Sequence, residues 1–332
     1  NNFYFNPLAE IISGYKESKT SMMLTQMEFE HKFDNKLNGL FVKAFFNVKR
    51  DSYYDLNRSY RPSYYEPVQT LDGSYKLRNF NPTTGSEYLS YDFGSKNVGS
   101  SIYGEFRIGY EKVLNEKHNL NVLLVSSAQQ TTYTTVTTIQ QSLPQRNIST
   151  AGRFAYGFDS RYFAEFNFGY NGSERFARNN RFGFFPSIGA GWLVSNEAFM
   201  EKANNVITNL KLKATYGLVG NDQIGSLNDR FFYMSQVNME DPGYGFTFGS
   251  ELGTYKPGIS IARYANDLVT WEIAKKFNLG FELGLFSDFT VLGDYFTETR
   301  ENILQTRQNV PSTMGLMTIP QSNLGIAAGK GF

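Results

Sequence analysis

The chain has 332 residues, a net charge of +1 and no cysteine. The near-zero charge argues against a nucleic-acid binder held by phosphate contacts, and the lack of cysteine excludes disulfides and thiolate metal sites. The unusual figure is 16% aromatic residues, with 30 Phe, 22 Tyr and 30 Gly. Such a composition is typical of barrels that carry aromatic girdles at two membrane interfaces.

Alternation of apolar and polar residues predicts ten strands in chain order, because successive side chains of a strand point to opposite faces. The predicted strands span 21–33, 37–48, 100–114, 120–136, 149–158, 161–171, 183–194, 207–218, 268–286 and 289–302. Residues 1–20 are predicted to be irregular, and 195–206 to hold one or two helical turns. The segment 303–332 is predicted to be loop with the start of another strand.

The segment from Ile148 to Arg181 shows the alternation most clearly. One face of its second strand is predicted to carry Tyr162, Ala164, Phe166, Phe168 and Tyr170. A three-residue turn from Phe158 to Ser160 would pair Tyr156 with Tyr162 and keep both aromatic rows on one face. A two-residue turn would place the rows on opposite faces, so register favours three residues.

Soluble sandwiches and transmembrane barrels both contain two-faced strands, and the lengths of the connections distinguish them. Every second connection is brief, apart from 195–206, whereas the others include two long loops at about 49–99 and 219–267. Short turns at one end and long loops at the other are typical of outer-membrane barrels. The predicted strands are also longer than the five or six residues usual in globular proteins. We therefore predict an all-β fold, an antiparallel transmembrane β-barrel of which this chain supplies about ten strands.

Several blocks carry a family resemblance. They are GRFAYGFDSRYFAEFNFGYNGSERF from Gly152, FGFFPSIGAGWLVSNEAFM from Phe182, NLKLKATYGLVGND from Asn209, LVTWEIAKKFNLGFELGLFSD from Leu268 and VPSTMG from Val310. In this order they resemble the later barrel of the SusC/RagA family of TonB-dependent outer-membrane transporters from Bacteroidetes-type bacteria.

The resemblance implies a barrel of about 22 strands with a plugged lumen. It further implies an N-terminal plug domain, a SusD-like surface lipoprotein as a lid, and import of oligosaccharides or peptides energised by TonB. The expected location is the lipid bilayer of the outer membrane of a Gram-negative bacterium.

The sequence contains no plug and no TonB box, so we expect it to be a middle section of such a barrel. We treat 1–332 as a single partial barrel domain whose missing strands come from residues outside this sequence, since open edges in lipid leave backbone groups unpaired. Phe332 is expected to be an internal end, because GIAAGKGF lacks the alternation of a closing strand.

Two sets of residues are predicted to contact substrate or plug. Tyrosines of the first long loop offer an apolar ring and a hydroxyl for sugars or peptides, although packing within the loop or on a lid explains them equally well. This set is Tyr53, Tyr54, Tyr60, Tyr64 and Tyr65. The set predicted to face the lumen or plug is Glu105, Arg107, Arg153, Glu165, Lys211, Lys213 and Glu282.

No catalytic constellation is visible, so we expect a protein that is not an enzyme, with no metal, no cofactor and no nucleic-acid partner. The basic loop with Arg175, Arg178 and Arg181 is interpreted as solvated, with binding of acidic partner groups or lipopolysaccharide as the alternative. Two other functions stay open. One is a passive porin-like channel, and the other is a soluble β-rich glycan-binding or adhesin protein with buried aromatic rows.

Overall fold

A computed structural model describes residues 7–33, 37–86, 88–136, 139–203, 205–225, 229–286 and 288–332. Its strands are β1 (Gly14–Lys32), β2 (Leu40–Ser59), β3 (Tyr65–Gln69), β4 (Tyr75–Asn79), β5 (Ser90–Leu114), β6 (His118–Tyr133), β7 (Gln145–Phe158), β8 (Tyr162–Gly172), β9 (Phe182–Leu193), β10 (Ile207–Asn221), β11 (Gln236–Phe248), β12 (Thr254–Arg263), β13 (Glu272–Leu285), β14 (Phe289–Thr306) and β15 (Gln321–Gly331). Eleven form one sheet in the order β1-β2-β5-β6-β7-β8-β9-β10-β13-β14-β15, and β3–β4 and β11–β12 are separate hairpins.

Helical structure is minor. Among the described residues the helices are α1 (Pro7–Ile12) and α2 (Ile139–Ser142), and short 3-10 turns lie at Val194–Asn196, Ala198–Ala203 and Ser312–Met314. The first two of these 3-10 turns confirm the prediction of helical turns within 195–206. Among the residues described, no helix has the length and apolar character needed to cross a membrane.

The chain divides into two compact units. The first comprises Asn1–Thr25, Val48–Ser101 and Thr131–Leu143, and the second comprises Gln26–Asn47, Ile102–Gln130 and Pro144–Phe332. The first contains the β3–β4 hairpin, and the second contains every strand from β7 onward. The single partial barrel domain over 1–332 therefore stays a prediction.

Backbone register in the second unit produces continuous rows of side chains across the sheet. Phe154 pairs with Phe166, and Phe166 with Ile188, across β7, β8 and β9. Ile188 then pairs with Tyr216, and Tyr216 with Phe277, across β10 and β13. Because directly paired residues of antiparallel strands share a face, these five apolar side chains form one row across five strands.

The β7–β8 hairpin keeps both aromatic rows on one face, as predicted, but its register differs from the prediction. Phe158 pairs with Tyr162, and Tyr156 pairs with Ala164 rather than with Tyr162. The three loop residues are therefore 159–161, one position later than expected. Asp159 and Ser160 adopt φ of 53° and 52°, and Arg161 N donates to Phe158 O at 2.9 Å, so local turn geometry selects this register.

The aromatic row is exposed and contributes nothing to an internal core of the described chain. Phe154 and Phe166 are 45% and 41% exposed, and Phe277 and Phe281 are exposed to a similar degree. The soluble alternative required these rings to be buried against a second sheet. Their exposure instead fits a face that meets lipid, where apolar side chains are favourable.

The predicted long loop at 49–99 is wrong in its bounds. β2 continues to Ser59, β5 begins at Ser90, and the β3–β4 hairpin lies between them. Alternation is hard to see here because the extended parts of β2 and β5 carry polar residues on both faces. An apolar face is what makes the two-residue period visible in a sequence.

Two further segments differ from prediction in the same way. β1 begins at Gly14, within the stretch 1–20 that was predicted to be irregular. The predicted loop 219–267 contains the end of β10 and the β11–β12 hairpin, and β13 begins at Glu272 rather than at 268. Residues 34–36 and Ser287, each of which lies between two predicted strands, are outside the described residues.

Connections in the second unit alternate in length as predicted, and 194–206 is again the exception at the short end. Residues 115–117, 159–161 and 194–206 connect strands at one end, whereas 173–181, 222–271 and 307–320 connect them at the other. Antiparallel strands place alternate connections at opposite ends. The elaborate loops of this unit therefore lie together at one end, which we call the long-loop end.

The assignment of the two faces predicts opposite results for neighbouring residues. In the full-length protein, Phe166→Arg should place a charge in lipid at a cost of roughly 2–4 kcal/mol, and folded protein in the outer membrane should fall sharply. Asn167→Arg, one position along β8, should fold normally because Asn167 lies on the polar face. The measurement is the folded fraction in purified outer membranes, from migration of unheated samples. Equal loss in both variants would contradict the assignment.

Candidate functional site

The polar face of the second unit lines a cavity of about 770 Å³. Four of the residues predicted to face the lumen contribute to its wall, namely Arg153, Glu165, Lys211 and Lys213. The fifth from this region, Glu282, pairs with Lys211 across β10 and β13 and so shares their face. Strand register, rather than proximity in sequence, brings these charges together.

Most charged groups of this wall are matched by an opposite charge within the wall. Arg153 Nη2 donates to Glu165 Oε2 at 2.8 Å. Lys213 Nζ lies 3.4 Å from both Glu282 Oε1 and Asp294 Oδ1. Partly exposed pairs of this kind add at most about 1 kcal/mol each, so their main effect is to keep the local net charge low.

Glu105 and Arg107 lie further along the sheet on β5 and also pair with each other. The Arg107 guanidinium and the Tyr103 hydroxyl both donate to the Glu105 carboxylate. Arg107 is two positions from Glu105 and four from Glu111, so the three share a face. Glu111 accepts a hydrogen bond from Asn121 Nδ2 at 2.8 Å, and Asn121 lines the cavity. Both predicted residues therefore belong to the polar face.

Charges, amides and hydroxyls are the polar groups of this wall, beside glycine and apolar residues. In the part of the chain that the structure describes, no group of three or more His, Asp or Glu is arranged to hold a metal ion. The roles of the wall residues toward a plug or substrate stay predictions.

The predicted tyrosine cluster is not one loop surface. Tyr53 and Tyr54 lie within β2, so as consecutive strand residues they point to opposite faces. The Tyr53 hydroxyl donates to Asp55 Oδ2 at 3.0 Å, and Asp55 is buried beside Lys16, whose Nζ lies 3.0 Å away. Placing these two tyrosines in a loop was therefore wrong, because β2 extends to Ser59.

The other three tyrosines lie at the start of the β3–β4 hairpin. Tyr60 N donates to Ser13 O at 2.9 Å, Tyr64 N donates to Asn81 Oδ1 at 2.7 Å, and Tyr65 is the first residue of β3. These backbone bonds fix the entry to the hairpin and leave the Tyr65 ring exposed. Contact of all five tyrosines with substrate stays a prediction.

The buried core of the second unit lies at the long-loop end. Phe176 is 0% exposed and Val269 is 1% exposed. They belong to a cluster with Phe185, Ile224, Phe232 and Trp271. The rings of Phe176 and Phe185 each lie with centroids 5.2 Å from Trp271. Residues of 173–181, 222–225, 229–232 and 264–271 therefore pack through shared apolar side chains.

A glycine makes room for this core. Gly220 lies near the end of β10 beside the ring of Phe185, and a Cβ at residue 220 would lie 1.9 Å from Phe185 Cζ. No real side chain tolerates that distance. The Phe185 ring therefore packs directly on the backbone of β10, which draws the strand end into the loop cluster.

Polar side chains tie the same loops together. The Arg175 guanidinium donates to the Ile224 carbonyl, and Arg230 Nη2 donates to Pro144 O at 2.7 Å and to Glu174 Oε2 at 2.5 Å. Asn180 Nδ2 donates to Asp267 O at 3.0 Å. Arg175 therefore links its own loop to the loop that contains Ile224, which corrects its interpretation as part of a solvated loop.

Sequence reasoning missed this loop core. Its signal was incomplete, since Phe176 lies in a predicted loop, whereas Val269 and Trp271 lie in the part of the predicted strand 268–286 that precedes β13. Apolar residues in a polar loop indicate local burial, but no short-range pattern shows which loops pack against each other.

A buried carboxylate organises the short-turn end of the second unit. Glu197, in the connection after β9, accepts hydrogen bonds from the Tyr162 hydroxyl at 2.6 Å and from Trp192 Nε1 at 3.0 Å. Arg161 Nη1 lies 3.4 Å from its other oxygen. Tyr162 and Trp192 are paired in register and stacked, with centroids 6.4 Å apart. Amphipathic rings at one level of the apolar face match an interfacial aromatic girdle.

Comparison with known proteins supports a single relationship. No family model matches the chain. The chain is 29% identical over 279 residues to TonB-dependent receptor P3 of Formosa agariphila, covering 79% of this chain and 25% of that protein. It is also 29% identical over 193 residues to TonB-dependent receptor SusC of Bacteroides thetaiotaomicron, covering 58% of this chain. The chain spans about a quarter of the length of the curated relatives it matches.

Solved structures agree on the fold. The RagAB peptide importer in its closed-closed state superposes with a TM-score of 0.60 at 19% identity, over 95% of this chain and 34% of that chain. The chain resembles a section of a SusC/RagA-type transporter barrel. Such barrels lie in the outer membrane of Gram-negative bacteria, and the exposed apolar rows of the sheet fit a face that meets its lipid.

The packing of Trp271 in the loop core is expected to stabilise the surrounding loops. Trp271→Ala should remove contacts with two aromatic rings and cost about 3–5 kcal/mol locally. Amide hydrogen exchange in 173–181 and 222–232 should become faster by orders of magnitude, while β7 and β8 stay protected. Phe248→Ala, at an exposed position of the β11–β12 hairpin, is the matched control and should change neither loop.

Glu197 predicts a pH dependence. Hydrogen bonds from Tyr162 and then Trp192, with the Arg161 charge, hold the pKa of Glu197 below its usual range. A lowered folded-state pKa stabilises the protein above the unfolded pKa, and this contribution is lost as the pH falls through the folded value. The melting temperature should therefore drop more between about pH 7 and pH 3 in wild type than in Glu197→Gln, since Glu titrates near about 4.3 unfolded. Glu201→Gln, an exposed change in the same connection, should behave as wild type.

Proposed function

We propose that this chain forms part of the barrel wall of an active outer-membrane importer of oligosaccharides or peptides. In this proposal TonB supplies energy through a plug domain, and a SusD-like surface lipoprotein covers the long-loop end. The curated relatives are named TonB-dependent receptors, and the superposed structures are titled as a peptide importer. Because the chain spans about a quarter of the curated relatives, activity belongs to the full-length protein.

The two-faced sheet is the observation that carries this proposal. Its apolar rows run in register across five strands, and its opposite face holds mutually paired charges around a cavity. A sheet of this kind separates lipid from a hydrated interior. We propose that Arg153, Glu165 and Lys213, with the other predicted lumen residues, contact the plug or passing substrate.

The charge-matched wall suits a plug that must move. A buried charge left without a partner costs several kcal/mol, so a wall that relied on plug residues for neutralisation would hold the plug strongly. Here Glu105–Arg107, Arg153–Glu165 and Lys213–Glu282 are already paired within the wall. The plug then exchanges mainly water-mediated contacts, which cost little to break and reform.

A passive porin-like channel is the competing function. It shares the two-faced sheet but requires no energy and no plug. The curated relatives favour TonB-dependent import, because the proteins that the chain matches are named TonB-dependent receptors.

Energy dependence separates the two functions. Cells that produce the full-length protein should take up labelled oligosaccharide or peptide, and a protonophore should reduce initial uptake at least about tenfold, since TonB draws on the proton gradient. A channel would equilibrate its solute at the same rate with or without the gradient. A general porin produced in the same cells is the control, and undiminished uptake after protonophore treatment would reject active import.

A further inference from the structure

A second cavity, of about 490 Å³, lies at the long-loop end of the second unit. It is bounded by the base of the β11–β12 hairpin, by Gly225 with residues 229–232, and by the connection between β14 and β15. The side chains that matter to its chemistry are Asp229, Gln236, Arg263, Tyr264, Thr306 and Thr318. None of these was identified from the sequence.

The walls of this cavity are held in place by Arg263. Its Nη1 donates to Asp229 Oδ1 at 3.2 Å, its Nε donates to Met234 O at 3.2 Å, and its guanidinium carbon lies 4.2 Å from the centroid of the buried Phe232 ring. Arg263 also pairs with Gln236 across the hairpin. These contacts join the hairpin base to the preceding segment, so one wall is formed before any ligand arrives.

The other walls are equally constrained. Thr306 and Gln321 are paired in register across β14 and β15, and Asn266 Nδ2 donates to Gln321 O at 2.9 Å. Met317 N donates to the Tyr264 hydroxyl at 3.2 Å. The pocket is therefore largely pre-organised, so ordering its side chains on binding costs little free energy.

Gly225 brings the backbone close to Phe232 and Asp229, which line this pocket. Its φ is +66°, and a Cβ there would lie 2.6 Å from Phe232 Cε2 and 2.9 Å from Asp229 Oδ2. Glycine adopts this backbone conformation without steric cost. The close approach keeps the Phe232 ring and the Asp229 carboxylate beside the cavity.

We propose that this cavity binds a short segment of a neutral oligosaccharide, an inference that rests on the proposed import function and names its substrate class. The hydroxyls of Thr306, Thr318 and Tyr264 and the amide of Gln236 offer both donors and acceptors, which is what the hydroxyl groups of sugars require. The volume lies within the range of about 300–1,000 Å³ usual for small-molecule sites, so it accommodates part of a glycan.

The charges of the cavity favour a neutral ligand over a peptide. Its one acidic and one basic side chain, Asp229 and Arg263, contact each other at 3.2 Å, and both are largely buried, with side chains 27% and 15% exposed. A peptide or an acidic glycan brings formal charges that need a counter-charge when they lose water. A neutral polyol meets the paired charges as hydrogen-bonding groups and leaves their attraction intact.

Binding is measured by calorimetric titration of the purified full-length protein in detergent. The probes are oligomers of glucose, mannose, galactose and xylose in α and β linkages where these exist, an oligogalacturonate as anionic glycan, and a zwitterionic tripeptide. At least one neutral oligomer should bind saturably, while the oligogalacturonate and the tripeptide bind at least about tenfold more weakly. Tighter binding of the tripeptide, or no saturable binding of any neutral oligomer, would overturn the proposal.

Isosteric variants locate the site. Thr306→Val with Thr318→Val removes two cavity hydroxyls and should weaken the bound neutral oligomer about tenfold, the effect of losing two ordinary hydrogen bonds. Thr247→Val with Thr254→Val changes two threonines at the far end of the β11–β12 hairpin and should bind as wild type. Equal affinities in both double variants would refute this cavity as the site.

The titration tests the binding site and the uptake assay tests the import function, so each hypothesis can be rejected without the other. Loss of energised uptake with intact neutral-glycan binding would reject the import function and keep the binding site. Energised uptake of a peptide without glycan binding would keep import and reject this inference. If the cavity variant does not fold, the preference of wild type among the three probe classes still decides the ligand class.

Discussion

The rest of this structure depends on cross-strand register. A strand displays alternate side chains on opposite faces, and a slip of one residue would exchange those faces. The pairing of Phe166 with Phe154 on one side and Ile188 on the other holds the apolar row on one face of the sheet. Each cross-strand pair adds only about 0.2–1 kcal/mol, but a slip would turn every apolar residue of a strand away from lipid. The summed free energy of all the pairs in the row therefore determines the register.

The polar face meets the opposite requirement with the same register. One row below the aromatic residues, Glu165, Gly189 and Thr215 share a line, and the next row carries Lys213 opposite Gly280. Small residues between charged ones leave space for long side chains to reach partners on neighbouring strands. A Cβ at residue 280 would lie 2.5 Å from Lys213 Cε. The absence of a side chain at Gly280 therefore leaves room for Lys213 to reach Asp294.

These features explain which parts of the structure the sequence predicts. Strands β7 to β10, β13 and β14 were recognised because lipid on one face requires an apolar row, and that row marks the period. The outer parts of β2 and β5 were missed because polar residues on both faces remove the signal, and Tyr53 and Tyr54 were misplaced with them. The hairpin turn moved by one residue because Asp159 and Ser160 adopt a left-handed conformation, which apolar patterning does not encode. The charged residues predicted to face the lumen share the polar face of the sheet, but their partners depend on register, which the sequence pattern does not show.

The loop core shows why the long-loop end is harder to predict from the sequence than the strands are. The wall of the barrel section needs no internal core, since lipid solvates its apolar face. The loops lie outside lipid and must bury their own apolar side chains, which they do through Phe176, Val269 and Trp271. That packing joins segments about 90 residues apart in the chain, as the Trp271 Nε1 bond to Asn180 O shows. Such contacts are set by three-dimensional fit rather than by period, so the sequence pattern does not reveal them. The loop core thus stabilises the long-loop end through contacts that do not depend on the apolar rows of the sheet.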